Sequence, residues 1–224
     1  MTNFFSVDRQ GLAFLKIQWE DLSSLYASDR IIKDNLFQML KEKYSEKSRF
    51  YHNLSHIKTL LSLFESLHNK IQEHNAIRFA IWFHDVIYDS KRSDNEEESA
   101  RLVVEVLHKL QVNIETIEIV KEMILATKNH NGKNLTHDVK LFLDMDLAIL
   151  GTSEEIYKEY SKAIREEYSW ASDAIYRSGR ERVLRSFIER ERIYLTHEME
   201  VRYAEQARKN IDNEIKSLQE NISQ

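Results

Sequence analysis

The chain has no cysteine and no proline among its 224 residues, and only four glycines. Without cysteine there is no disulfide and no thiolate ligand, so any metal bound here is held by nitrogen and oxygen. That donor set suits Mn, Fe, Mg, Ni, Co or Zn rather than a soft ion. Proline breaks helix interiors and glycine weakens them, so their scarcity predicts helices joined by short polar turns. Strand-like alternation is weak throughout. No apolar run approaches the ~20 residues that span a bilayer, so no membrane partner is expected. Met1 to Gln10 lacks the basic-then-apolar order of a secretion signal, and the expected address is cytoplasmic. Positive charge is not in excess either: Lys and Arg total 32 against 37 Asp and Glu, a net −5. A field of that sign gives no strong nucleic-acid signal.

What is present is helical periodicity. Ile57, Leu60, Leu61, Phe64 and Leu67 predict a helix from near His52 to Leu67. Ile77, Ala80, Ile81, His84 and Tyr88 fall on one face of the next. Ser93 with Glu96, or Asp94 with Glu97, fits a capping box that opens a helix through Leu110. Glu96, Glu97 and Glu98 suit the positive end of its dipole and read mainly as a solvated helix start. Ile117 to Leu125 marks another helix, ending near Asn129, where His130-Asn131-Gly132 reads as a turn. Val139 to Leu150 reads as a short apolar helix stopped by Gly151, with Thr152 and Glu155 forming a second capping box. The remainder, to Leu218, is helical in pattern and richly charged, and the first ~45 residues read as two helices. The expectation is an all-α bundle, one domain over residues 1–224.

Three segments carry the chemistry. They are Tyr51-His52-Asn53-Leu54-Ser55-His56, Phe83-His84-Asp85-Val86-Ile87-Tyr88-Asp89, and Asp144-Met145-Asp146-Leu147. Two imidazoles and at least two carboxylates from separate segments are what a divalent metal site needs. A His-Asp dipeptide by itself is commonly chance, as is a histidine pair four apart. His84, however, sits in an apolar stripe where an imidazole needs partners, and Asp85 is costly to bury unless paired or metal-bound. On a helix, His52 and His56 would share a face. Asp144 fits a solvated helix-start acid better than Asp146 does, and is otherwise a supporting or alternative ligand.

The order His, His-Asp, Asp resembles the HD superfamily of metal-dependent phosphohydrolases. The string Tyr51-His52-Asn53-x-x-His56 is similar to the opening metal motif of cyclic nucleotide phosphodiesterases in that superfamily. That likeness implies His56 as a metal ligand and His52 as general acid. The superfamily register implies His84, Asp85 and Asp146 as the other ligands. Guanosine tetraphosphate hydrolases carry Glu-Asp where this chain has Tyr88-Asp89, which implies Asp89 as a water-positioning acid. A closer resemblance, to a family of predicted HD phosphohydrolases, rests on Tyr-His-Asn-x-x-His, Phe-His-Asp-x-x-Tyr-Asp, Asp-Asn-Glu-x-x-Ser-Ala and Asp-x-Asp-Leu-x-x-Leu-Gly. It covers roughly residues 10–218 and implies an HD-like core at about 48–151, with flanking C-terminal helices at about 152–224 packed on it.

Weaker candidates complete the set. His130, Lys128 and Arg180 are assigned to substrate binding. His130 also reads as an exposed turn histidine. Arg180 is chosen from Arg177 to Arg192, where six arginines against three acids leave a local +3; the competing reading is a salt-bridged helix face. The expected activity is hydrolysis of a small phosphoester, with a nucleotide among the candidates, by water activated at a divalent metal ion. An HD-type di-iron oxygenase, needing His130 and His52 as further ligands, and a non-catalytic metal-stabilised nucleotide- or protein-binding module stay open.

Overall fold

Ten α-helices and two short 3-10 helices, with no strand, form the described residues of the computed structural model, which are 4–26, 29–131 and 134–220. The chain divides into two compact units, Met1–Leu143 and Asp144–Gln224. The first holds α1 (Arg9–Ser24), α2 (Arg30–Lys43), α3 (Leu54–Leu67), α4 (His74–Phe83), α5 (Asn95–Lys109), α6 (Ile114–Thr127) and most of α7 (His137–Asp146). The second continues α7 as a 3-10 turn, Leu147–Gly151, and adds α8 (Glu154–Glu167), α9 (Asp173–Ile188) and α10 (His197–Glu220). No helix among the described residues is long and apolar enough to cross a membrane.

In the first unit α4 is the centre. Every residue from Ala76 to Phe83 is buried, the pattern of a helix with neighbours on all sides. Trp19 of α1, Leu61 of α3 and Val120 of α6 lie in the same core. Even Arg78 of α4 is buried, donating to Asp21 at 2.8 Å and to the Gln18 carbonyl at 3.0 Å. The start of α4 is held by Asp138 of α7, whose Oδ2 accepts the Gln72 and Glu73 amides at 2.9 and 2.5 Å. A carboxylate suits the positive end of the α4 dipole.

The helix ends differ from the sequence reading in ways that matter for the site. α3 spans Leu54–Leu67, within two residues of the expected start, and Asn53 caps it by accepting the Ser55 amide at 2.8 Å, which leaves His52 in the turn before it. α4 ends at Phe83, so Tyr88 and Asp89 are not helical. Neither capping box forms. Asp94 precedes α5 without a side-chain cap, and its carboxylate meets Arg92 at 2.9 Å through both oxygens. Thr152 turns its hydroxyl back to the Ile149 carbonyl at 2.8 Å, and α8 starts at Glu154. The turn expected at His130-Asn131-Gly132 begins as expected, but Gly132 lies outside the described residues.

In the second unit, Asn210 of α10 ties the 3-10 turn by donating to the Leu150 and Thr152 carbonyls, each at 2.9 Å. Gly151 lies against α10. A Cβ built there would come within 2.6 Å of both Cβ and the carbonyl oxygen of Tyr203. Backbone cannot yield as a side-chain tip can, so Gly151→Ala is expected to destabilise this unit by about 1–3 kcal/mol. Urea denaturation of the two proteins side by side checks it; an unchanged midpoint would contradict the close approach.

Candidate metal centre

His84 directly follows the buried helix α4, with its amide still donating to the Ala80 carbonyl at 2.9 Å. Its Nδ1 lies 3.1 Å from the Ile81 carbonyl. A carbonyl only accepts, so the ring proton sits on Nδ1 and the Nε2 lone pair points away from it. That Nε2 is 3.1 Å from Nε2 of His56 and 3.1 Å from Oδ2 of Asp85. Both histidines are buried, whereas the Asp85 side chain keeps 18% of its exposure. His56 reaches this point because the Asn53 cap starts α3 three residues before it.

Asp146, the last residue of α7, joins the pair: His56, His84 and Asp146 each offer a ligand atom, all within 4.8 Å of one another. The donor set fits a divalent ion. A cation about 2.1 Å from each of two imidazole nitrogens holds them roughly 3.0–3.4 Å apart, and the observed 3.1 Å falls within that span. Nitrogen with carboxylate oxygen is borderline-hard chemistry, which leaves the identity of the ion open.

The frame around this cluster is mostly backbone held by side chains. Arg49, whose side chain is fully buried, donates to the carbonyls of His52 (3.2 Å), Asp85 (2.6 Å) and Val86 (3.1 Å). Its Nε meets Glu46 at 3.1 Å, and its guanidinium lies over the rings of Tyr44 and Tyr88. One side chain thus fastens both histidine segments. The segment after Asp85 is held from the other side. Ser99 bonds both the amide and the carbonyl of Ile87, at 3.1 and 3.3 Å. Asn95 bonds both backbone groups of Asp89, at 3.1 and 2.9 Å. The Asp-Asn-Glu-x-x-Ser-Ala pattern therefore has a bracing role for its Asn and Ser.

Several sequence assignments change place. His52 is in the turn before α3, so it does not share a helix face with His56; its ring stacks on Tyr88 with centroids 4.3 Å apart. Asp89 is exposed, and its carboxylate accepts the Lys91 amide at 2.9 Å, shaping a turn. Asp144 is not a solvated helix-start acid. It is fully buried and accepts the Leu195 amide, the Thr196 amide and the Thr196 hydroxyl at 2.7, 2.7 and 2.6 Å. Burial pushes its carboxyl up to about 6, against the pull of those three bonds.

Glu96, read as part of a solvated run, is half-buried. Burial holds its carboxyl above the usual range and the Asp85 charge adds to this, with Lys128 pulling the other way. Lys128 itself pairs with Glu97 and donates to the Ser93 carbonyl at 2.8 Å. His130 takes a left-handed backbone, φ 44°, just past α6. Arg180, in the second unit, is buried and forks onto Glu214 at 2.9 and 3.1 Å. No family model, curated protein or solved structure matches this chain.

Arg49 carries no motif signal beyond its place three residues ahead of His52, yet its loss would leave three carbonyls without their donor. Arg49→Gln is expected to cost about 3 kcal/mol by guanidinium denaturation. A loss under about 0.5 kcal/mol would show that water replaces the guanidinium without penalty.

Proposed function

We propose that this chain is a metal-dependent phosphohydrolase acting on a small phosphoester, with a nucleotide among the candidates. The observation that carries the proposal is the convergence of the His56 and His84 nitrogens with Asp146, and with Asp85 against His84. The resemblance of the same residues to the HD superfamily supports it.

When bound, a divalent cation supplies an acidified water and charge to offset that of a phosphoryl group. The chain's own groups do the rest. The Ile81 carbonyl fixes the proton of His84 on Nδ1, which keeps Nε2 as a ligand atom. His56 presents its Nε2 to the same point. His52, oriented by its stack on Tyr88, gives a proton to the leaving oxygen from its imidazole. Of the nearby acids, Glu96 is half-buried in the field of Asp85, while the Asp89 carboxylate is committed to its turn. Glu96 is therefore the acid we assign to orienting the attacking water, in place of Asp89.

Two measurements test the reading. Elemental analysis after loading with Mn, Fe, Co, Ni or Zn is expected to find about one equivalent or more of one ion in the wild type and little in Asp85→Ala. No bound ion in either protein would overturn the proposal. In a phosphoester screen with the metal that binds, Asp85→Ala is expected to abolish turnover. His52→Gln and Glu96→Gln are expected to lower kcat about 100-fold or more, and Asp89→Asn less than about ten-fold. Full activity in Asp85→Ala would remove the site from the chemistry; equal losses at positions 89 and 96 would remove our preference for Glu96.

A further inference from the structure

The arginine-rich stretch of α9 has two faces, and they do different things. Arg180 points inward. Its charge is met by Glu214, which also accepts from the hydroxyls of Tyr157 and Ser161. Burial alone would raise the Glu214 carboxyl, but Arg180 and those hydroxyls hold it below the usual range. Glu214 is thus saturated and its charge balanced.

Arg177, one turn earlier, faces a cavity of about 250 Å³ between α8, α9 and α10. Lys162, Arg165, Asp173, Tyr176 and Glu214 also line it. Three cations therefore line the space; Arg165 pairs with the exposed Asp173 at 2.7 Å and Lys162 with Glu159 at 2.7 Å, while Glu214 is balanced by Arg180. Arg165 is held in place, lying over the Tyr176 ring at 4.7 Å and donating to the Tyr168 carbonyl at 2.9 Å. Arg177 makes one bond, to the Leu218 carbonyl at 3.2 Å, and the rest of its fork of donors is uncommitted among the described residues.

A second observation points to a ligand. Tyr176 walls the cavity and is nine-tenths buried, and its hydroxyl has no hydrogen-bond partner among the described residues. Its neighbours Tyr157, Ser161, Arg180 and Glu214 satisfy one another. Burial pushes the Tyr176 hydroxyl up to about 12, so it stays a donor. Buried polar atoms are seldom left without a partner, and a donor in this position seeks an oxygen.

We propose that this cleft of the second unit binds a small phosphate-bearing anion. Two guanidinium forks and an ammonium, carried by α8 and α9, suit a tetrahedral oxyanion, and the volume lies below the ~300 Å³ at which drug-sized pockets begin. The site does not depend on the metal centre.

Calorimetric titration of pyrophosphate into the full chain, treated with a chelator and then freed of it, tests this. The wild type is expected to bind one equivalent saturably, below about 1 mM. Arg177→Gln is expected to weaken binding about ten-fold, and Lys162→Gln and Tyr176→Phe several-fold. Lys162 is exposed, so that variant folds whatever happens to the other two. Arg202→Gln, an equal charge change on α10 away from the cleft lining, and Asp85→Ala are expected to leave binding unchanged. No saturable binding, or an equal loss in Arg202→Gln, would overturn the proposal. So would citrate binding as tightly as pyrophosphate, or binding lost in Asp85→Ala and kept in Arg177→Gln.

Discussion

Two imidazole nitrogens 3.1 Å apart, each on a buried ring, are a demanding arrangement. Lone pairs so close on buried rings need a proton or a cation between them. Much of the first unit can be understood as the means of holding them there. A wholly buried α4 brings one ring in at its end, and a capped α3 brings the other. The Ile81 carbonyl settles which nitrogen of His84 faces its partner.

The supporting structure works through the main chain. Arg49 holds three carbonyls on two segments, and Asn95 and Ser99 hold both backbone groups of two residues after Asp85. Non-helical backbone next to a core needs such partners, because no ladder or helix supplies them. The same economy appears in the second unit, where Asp144 collects two amides and a hydroxyl from residues 195 and 196. Side chains of this kind look like ordinary polar residues in a sequence, since what they recognise has no residue identity.

That explains what was legible and what was not. The all-helical fold followed from missing proline and from apolar spacing, and His56, His84 and Asp146 each stood in a visible motif. Helix ends were less readable. The apolar stripe carries past Phe83 into Tyr88, but Ser99 and Asn95 claim that segment from a different helix. Asp144 and Asp146 were close to indistinguishable by type, and only the distant 195–196 turn separates them. Glu96 looked like its neighbours Glu97 and Glu98 because a helix start is rich in acids for reasons of dipole alone. Arg180 stood out by charge, while its partner Glu214 lies a helix away in sequence.

The Asp138 contact gives α7 one more property. Asp138, near the beginning of α7, grips the beginning of α4, and Asp146 is the final residue of α7 as His84 directly follows α4. The two helices have the same length, ten residues each. α7 therefore behaves as a gauge block: one end is clamped, and the other delivers a carboxylate at a set height and bearing. One residue added or deleted inside it would shift that carboxylate by about 1.5 Å and swing it by ~100°. Changes of length in this part of the chain are thus compatible with the carboxylate only outside the interval from 138 to 146, in the loop that leads into α7.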